Sequence, residues 1–147
     1  MKPLPTALVL SGALPFLFAT GSLALGKPLH PTVAIVTLLT YGAVILSFLG
    51  GIQWGLAVRL ADEAPTSANR LFVLSVLPSL AAWATVLLLN DPKWQLLAQL
   101  GILLGVWGVD GLLAVQNIIP GWFFKLRTVV TCIVSACFIT AVVVLPQ

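Results

Sequence analysis

Charged residues in this chain come in short clusters, and the runs between them are long, apolar and unbroken. Five such runs extend roughly over Pro5 to Gly26, Thr32 to Val58, Arg70 to Leu89, Leu96 to Ile119 and Phe124 to Leu145. Each reaches about 20 residues, the length an α-helix needs to cross the hydrocarbon of a bilayer. Backbone polar groups in hydrocarbon must bond to one another, which leaves helices and closed barrels as the spanning structures. Barrel strands alternate polar and apolar residues over about 10 positions. Stretches such as "ATVLLL" and "FITAVVVL" do not alternate. The pattern therefore predicts an all-α integral membrane protein, a bundle of five transmembrane helices forming one domain over residues 1–147.

Composition agrees. Hydrophobic residues make up 60% of the chain and charged residues 7%, against about 25% charged in soluble domains. Lys2 gives the first run a positive start, but its apolar stretch exceeds the roughly 7–15 residues of a signal-peptide core, so it is expected to stay as a span. Lys2, Arg59, Arg70, Lys125 and Arg127 fall on one side of the five-span topology, and Lys27 and Lys93 on the other. The excess of basic residues in cytoplasmic loops then places the N-terminus inside and the C-terminus outside. The expected location is a bacterial inner membrane, or the mitochondrial inner membrane in a eukaryote. The net charge of +3 reflects this bias and does not point to nucleic acid.

The second run contains "YGAVILSFLGGIQWG", rich in glycine where a solvated helix would lose about 1 kcal/mol per glycine. Ala43, Ser47, Gly51 and Gly55 recur every four residues. In lipid, helices associate through close backbone approach, which small residues on one stripe permit. This stripe, with Gly101, Gly105 and Gly108 on the fourth span, is expected to be a packing seam, within the chain or between copies. Gln53 points nearly opposite the Ser47/Gly51 side, toward Gly42, Leu46 and Gly50, while Trp54 borders the seam. Trp94, Trp122 and Phe123 lie at expected water boundaries, where aromatics anchor helix ends.

One charge stands inside a span: Asp110, in "WGVDG". Read on a fourth span of Leu96 to Ile119, it falls near mid-bilayer, and its face carries Trp107 and Asn117. Intramembrane ionisable residues face protein or water and are commonly functional. No Lys or Arg is expected at that depth, so no salt bridge is expected within one chain. Tyr41, Ser47, Thr131 and Ser135 are the polar groups nearest in depth. Asp110, Trp107, Asn117, Gln53 and Trp54 are thus the candidate ligand- or partner-binding residues, with a hydrogen-bonded structural carboxyl as the competing reading.

Other chemistry is not evident. His30 is the single histidine and lies in a loop, which excludes bis-histidine haem and a histidine-based zinc site within one chain. Cys132 and Cys137 are about 140° apart around a helix and form neither a metal site nor a disulfide. Asp62, Glu63, Asp91 and Asp110 give no carboxylate pair for acid–base work. No catalytic residue, metal or cofactor is expected, and the chain reads as a non-enzyme.

"YGAVILSFLGGIQWG", "VLPSLAAW" (Val76 to Trp83) and "PGWFFKLRTVVT" (Pro120 to Thr131) resemble an uncharacterised family of small bacterial membrane proteins that includes mitochondrial transmembrane protein 69. The resemblance spans nearly the whole chain and implies a location and a topology, not an activity. Two readings follow. The first is a non-catalytic accessory or assembly subunit docking on a larger respiratory or photosynthetic membrane complex. The second is a binding protein or carrier for a small apolar ligand (porphyrin, quinone or lipid), with Asp110 as its polar site. The expected partners are the lipid bilayer and either another membrane protein or a second copy of the chain.

Overall fold

The computed structural model describes residues 3–145. Its helices are α1 (Pro3–Ser11), α2 (Leu14–Leu25), α3 (Pro31–Leu60), α4 (Pro65–Leu88), α5 (Pro92–Val115) and α6 (Gly121–Val144). Taken with α1 and α2 as one span over Pro3–Leu25, five helical segments are long and apolar enough to cross a membrane. The protein is a five-span, all-α membrane protein, as its apolar runs predict.

Proline sets the helix starts. Pro31, Pro65 and Pro92 each occupy the first helical position, where a missing N–H costs nothing and the fixed φ suits the helix. His30 Nδ1 accepts from the Thr32 N–H at 3.4 Å and Asp91 Oδ1 from the Lys93 N–H at 2.8 Å, which caps α3 and α5. Pro65 moves the start of the third span ahead of the Arg70 boundary. "TSANR" becomes the first solvated turns of α4, and its N-cap is Ala64, without a side-chain bond.

The first span is broken. Pro15 has no N–H for the Ser11 carbonyl, and the helix restarts after Gly12 and Ala13. The Tyr41 hydroxyl of α3 donates to the half-buried Gly12 carbonyl at 3.0 Å. Below the break, the Phe16 ring packs 5.0 Å from Tyr41 and 5.6 Å from Phe138.

The spans close into a ring in chain order, α2 through α6, with α6 returning to α2; α3 also reaches across to α5, and α1 lies on α6. An apolar core built around Phe16, Leu38, Leu46, Leu96 and Phe138 occupies most of the interior. A smaller cluster of Ala57, Leu71, Leu113 and Ile119 fills the end that carries Arg59 and Arg70.

The expected glycine stripes face outward from the bundle. A Cβ at Gly51, Gly55, Gly101, Gly105 or Gly108 would meet open space; Ser47 is exposed and Ala43 half-buried. Within the chain these glycines pack against nothing, whereas Ala43 touches the apolar core. The inward glycines of α3 are Gly42 and Gly50: a Cβ on Gly50 would overlap the Ser75 carbonyl oxygen of α4, and one on Gly42 would overlap Gln99 Oε1 and come 3.1 Å from Phe138. The same Cβ on Gly50 would stand 4.0 Å from the Pro78 ring of α4. Small residues occur on both sides of α3, and burial of Leu46, Leu49 and Gln53 decides which side turns in. Any close packing through the Gly51/Gly55 stripe is therefore between chains.

Candidate functional site

At the boundary between the two apolar clusters, three helices each contribute one polar side chain. Gln53 comes from α3, Asp110 from α5 and Arg127 from α6. Arg127 Nε donates to Asp110 Oδ2 at 2.9 Å, and Gln53 Nε2 donates to Asp110 Oδ1 at 3.2 Å. The Arg127 and Asp110 side chains are only 7% and 6% exposed. Desolvating two ions costs several kcal/mol each, recovered only when geometry and further hydrogen bonds satisfy both. Both carboxylate oxygens are satisfied. The guanidinium is not: Arg127 Nη2 is buried without a partner.

This pairing corrects the expectation that no cation reaches Asp110. α5 runs from Pro92 to Val115, so Asp110 lies about 10 Å from its midpoint at about 1.5 Å per residue, not at mid-span. It is about 8 Å before the end of α5, and Arg127 is about 9 Å into α6. The hairpin brings them level. Tyr41, Ser47, Thr131 and Ser135, expected as the nearest polar groups, do not bond Asp110. Tyr41 serves Gly12, Ser47 is exposed, and the Thr131 and Ser135 hydroxyls are buried without partners.

The other candidate residues scatter. Trp107, one turn before Asp110, donates its Nε1–H to Thr128 Oγ1 at 3.0 Å and stacks on Phe124 at 5.9 Å, holding α5 to α6. Trp54 is half-exposed and packs edge-on to Phe72 of α4 at 4.8 Å, away from the carboxylate. Asn117 is not on the Asp110 face, because α5 has already ended. With φ 57° it is the left-handed residue of a helix stop. Ile118 N–H donates to the Leu113 carbonyl at 2.9 Å and Asn117 N–H to the Ala114 carbonyl at 3.1 Å, the paired bonds of a Schellman motif.

A second polar node, built on residues that carry no charge, lies earlier along α5. Gln99 is fully buried and donates to the Leu39 carbonyl at 3.1 Å and to Thr85 Oγ1 at 3.4 Å, joining α5 to α3 and α4. One turn earlier, Gln95 donates to the Val86 and Leu89 carbonyls at 3.2 and 2.6 Å. These are carbonyls left open by the end of α4. Gln99 and Asp110 are separated by about three helical turns and so share a face, which was the available signal. Among the described residues no group of three or more His, Cys, Asp or Glu side chains is placed to hold a metal.

Fold and site together define a multi-pass α-helical membrane protein whose spans are tied by buried polar side chains. Residues 1–143 match the family described as "Protein of unknown function (DUF3429)", and the chain belongs to that family. It is similar to transmembrane protein 69 of Mus musculus, 31% identical over 140 residues, covering 92% of this chain and 54% of the mouse protein. With transmembrane protein 69 of Xenopus tropicalis it is 32% identical over 128 residues, covering 84% of this chain and 47% of the frog protein. The chain thus spans about half the length of these relatives. No solved structure matches it.

Proposed function

We propose that this protein is a non-catalytic accessory or assembly subunit that docks on a larger energy-transducing complex of an inner membrane. The observation that carries this reading is the outward position of its small-residue stripes. Gly51 and Gly55 on α3, and Gly101, Gly105 and Gly108 on α5, have open space where a side chain would stand. In lipid such stripes let a second helix approach closely enough for dispersion to hold it. The inward polar residues serve a different purpose: Gln53, Gln99, Asp110 and Arg127 tie the spans of one chain together. The alternative of a carrier built on Asp110 would have to compete with Gln53 and Arg127, which engage both carboxylate oxygens. A homo-oligomer through the same stripes is the competing assembly.

The test is native gel electrophoresis of a tagged protein expressed at its natural level and extracted in mild detergent. Co-migration with respiratory or photosynthetic subunits is expected, and Gly51→Leu should reduce it without lowering the melting temperature of the purified chain. Migration only as a single copy or a homo-oligomer would overturn the reading.

A further inference from the structure

Helices α4 and α5 wall a cleft of about 210 Å³ at the end of the molecule that carries Arg59 and Arg70. From α4 it takes Ser67, Arg70, Leu71 and Leu74. From α5 it takes Val109, Leu112, Leu113 and Gln116. Both sets follow the spacing i, i+3, i+4, i+7, which is one face of a helix. The two helices run in opposite directions, so Ser67, Arg70 and Gln116 stand at the loop end and the apolar residues lie deeper. The cleft thus passes from polar to apolar over about 10 Å, seven residues of helix. Arg70 is the one charged residue among the described residues lining it; Asp62 and Glu63 of the neighbouring loop do not. Arg70, Ser67 and Gln116 are all exposed. Among the described residues the Arg70 side chain makes no hydrogen bond or ion pair, so its donors are open to a ligand. Leu74 and Leu112 are 39% and 63% exposed, and the apolar part of the cleft therefore opens toward the bilayer.

We infer that this cleft seats one phospholipid of net negative head, its phosphate on Arg70 and the top of its chains against Leu74 and Leu112. Charge complementarity selects the head. A guanidinium grips phosphate through two parallel hydrogen bonds, and the Ser67 hydroxyl and Gln116 amide are further donors. Basic residues beside a membrane span attract anionic lipid heads in the same way. The polar-to-apolar gradient selects an amphiphile lying along the membrane normal. A dry cavity of about 150 Å³ admits benzene, so this cleft takes the glycerol end and first methylenes of a lipid. The rest of the chains leave through the open side. The occupant is supplied by the bilayer around it. This site uses neither the outward glycines nor the Asp110–Arg127 pair, and does not depend on the docking role.

Four probes with the full-length protein in a neutral mild detergent test the inference, read as saturable shifts in melting temperature. They are dioleoylphosphatidylglycerol, dioleoylphosphatidylcholine, dioleoylglycerol and inorganic phosphate. The phosphatidylglycerol should bind about tenfold or more tighter than either lipid without net charge, the value of one charge-assisted hydrogen bond. Phosphate alone, which has no chain for the apolar end, should give no shift. Arg70→Gln removes the cation from an exposed side chain that has no protein partner to lose, so the variant should fold like the parent. It should erase the preference for phosphatidylglycerol. Arg59→Gln removes a charge at the same end of the molecule but outside the cleft, and should leave the preference intact. Equal binding of phosphatidylglycerol and an uncharged lipid would overturn the inference, as would an unchanged preference in Arg70→Gln. An equal loss in Arg59→Gln would reduce the effect to general surface charge, and a shift from phosphate matching that from the lipid would make the ligand a free anion; either result sinks the lipid site.

Discussion

At Asp110 one oxygen is held by an amide and the other by a guanidinium, so its replacements are not equivalent. Asp110→Leu leaves Arg127 buried and unpaired, a loss of about 3–5 kcal/mol. Asp110→Asn also removes the counter-charge, and should melt well below the parent protein despite its matching shape. The double change Asp110→Leu with Arg127→Met should recover most of the loss, because removing both ions removes the desolvation cost; melting curves in mild detergent rank the three. A second residue-scale contrast concerns neighbouring glycines. Gly50→Ala forces a methyl into the Ser75 carbonyl and should cost about 1–3 kcal/mol, whereas Gly51→Ala should leave the purified chain unchanged. Equal melting of the two glycine variants would show that α3 does not meet α4 through Gly50. Asp110 was legible as the charge to explain, and its partner was not. Arg127 follows "GWFFKL" and reads as one more loop cation, and only the position of the hairpin turn reveals that it lies level with Asp110. Gln53 was read onto the Gly42/Leu46/Gly50 side, where it stands.

At the scale of elements, the five apolar runs sufficed to place the spans, because run length against bilayer thickness is a coarse criterion that tolerates shifted boundaries. The shifts mattered for the site. Extending the fourth span to Ile119 carried Asn117 into the helix, although its left-handed backbone ends it at Val115. Asn117→Gly should be neutral or slightly stabilising, and Asn117→Val should lose about 1–2 kcal/mol, since a β-branched side chain resists positive φ. A Val variant as stable as Gly would remove the helix stop from the account. Which glycine face turns inward was not legible, because a four-residue spacing of small residues fits either side of a helix. Burial of large side chains settles it only once the neighbours are in place.

For the whole molecule, five spans put the two ends of the chain on opposite sides of the membrane. The distribution of basic residues predicts an N-terminus on the inside. A reporter active only in the cytoplasm should therefore be silent when fused after Gln147 and active when inserted in the short loop between α3 and α4 (residues 61–64); the reverse pattern would invert the topology. The Asp110–Arg127 pair adds a consequence for biosynthesis. The ribosome makes Asp110 first, and its counter-ion follows 17 residues later. Until α6 emerges, α5 presents lipid with a carboxylate that has only Gln53 to bond. Entry of α5 and α6 as one hairpin, already paired, avoids that exposure. A nascent chain halted after Gly121 should accordingly stay at the translocon or be degraded, and one extended through Val144 should partition into the bilayer.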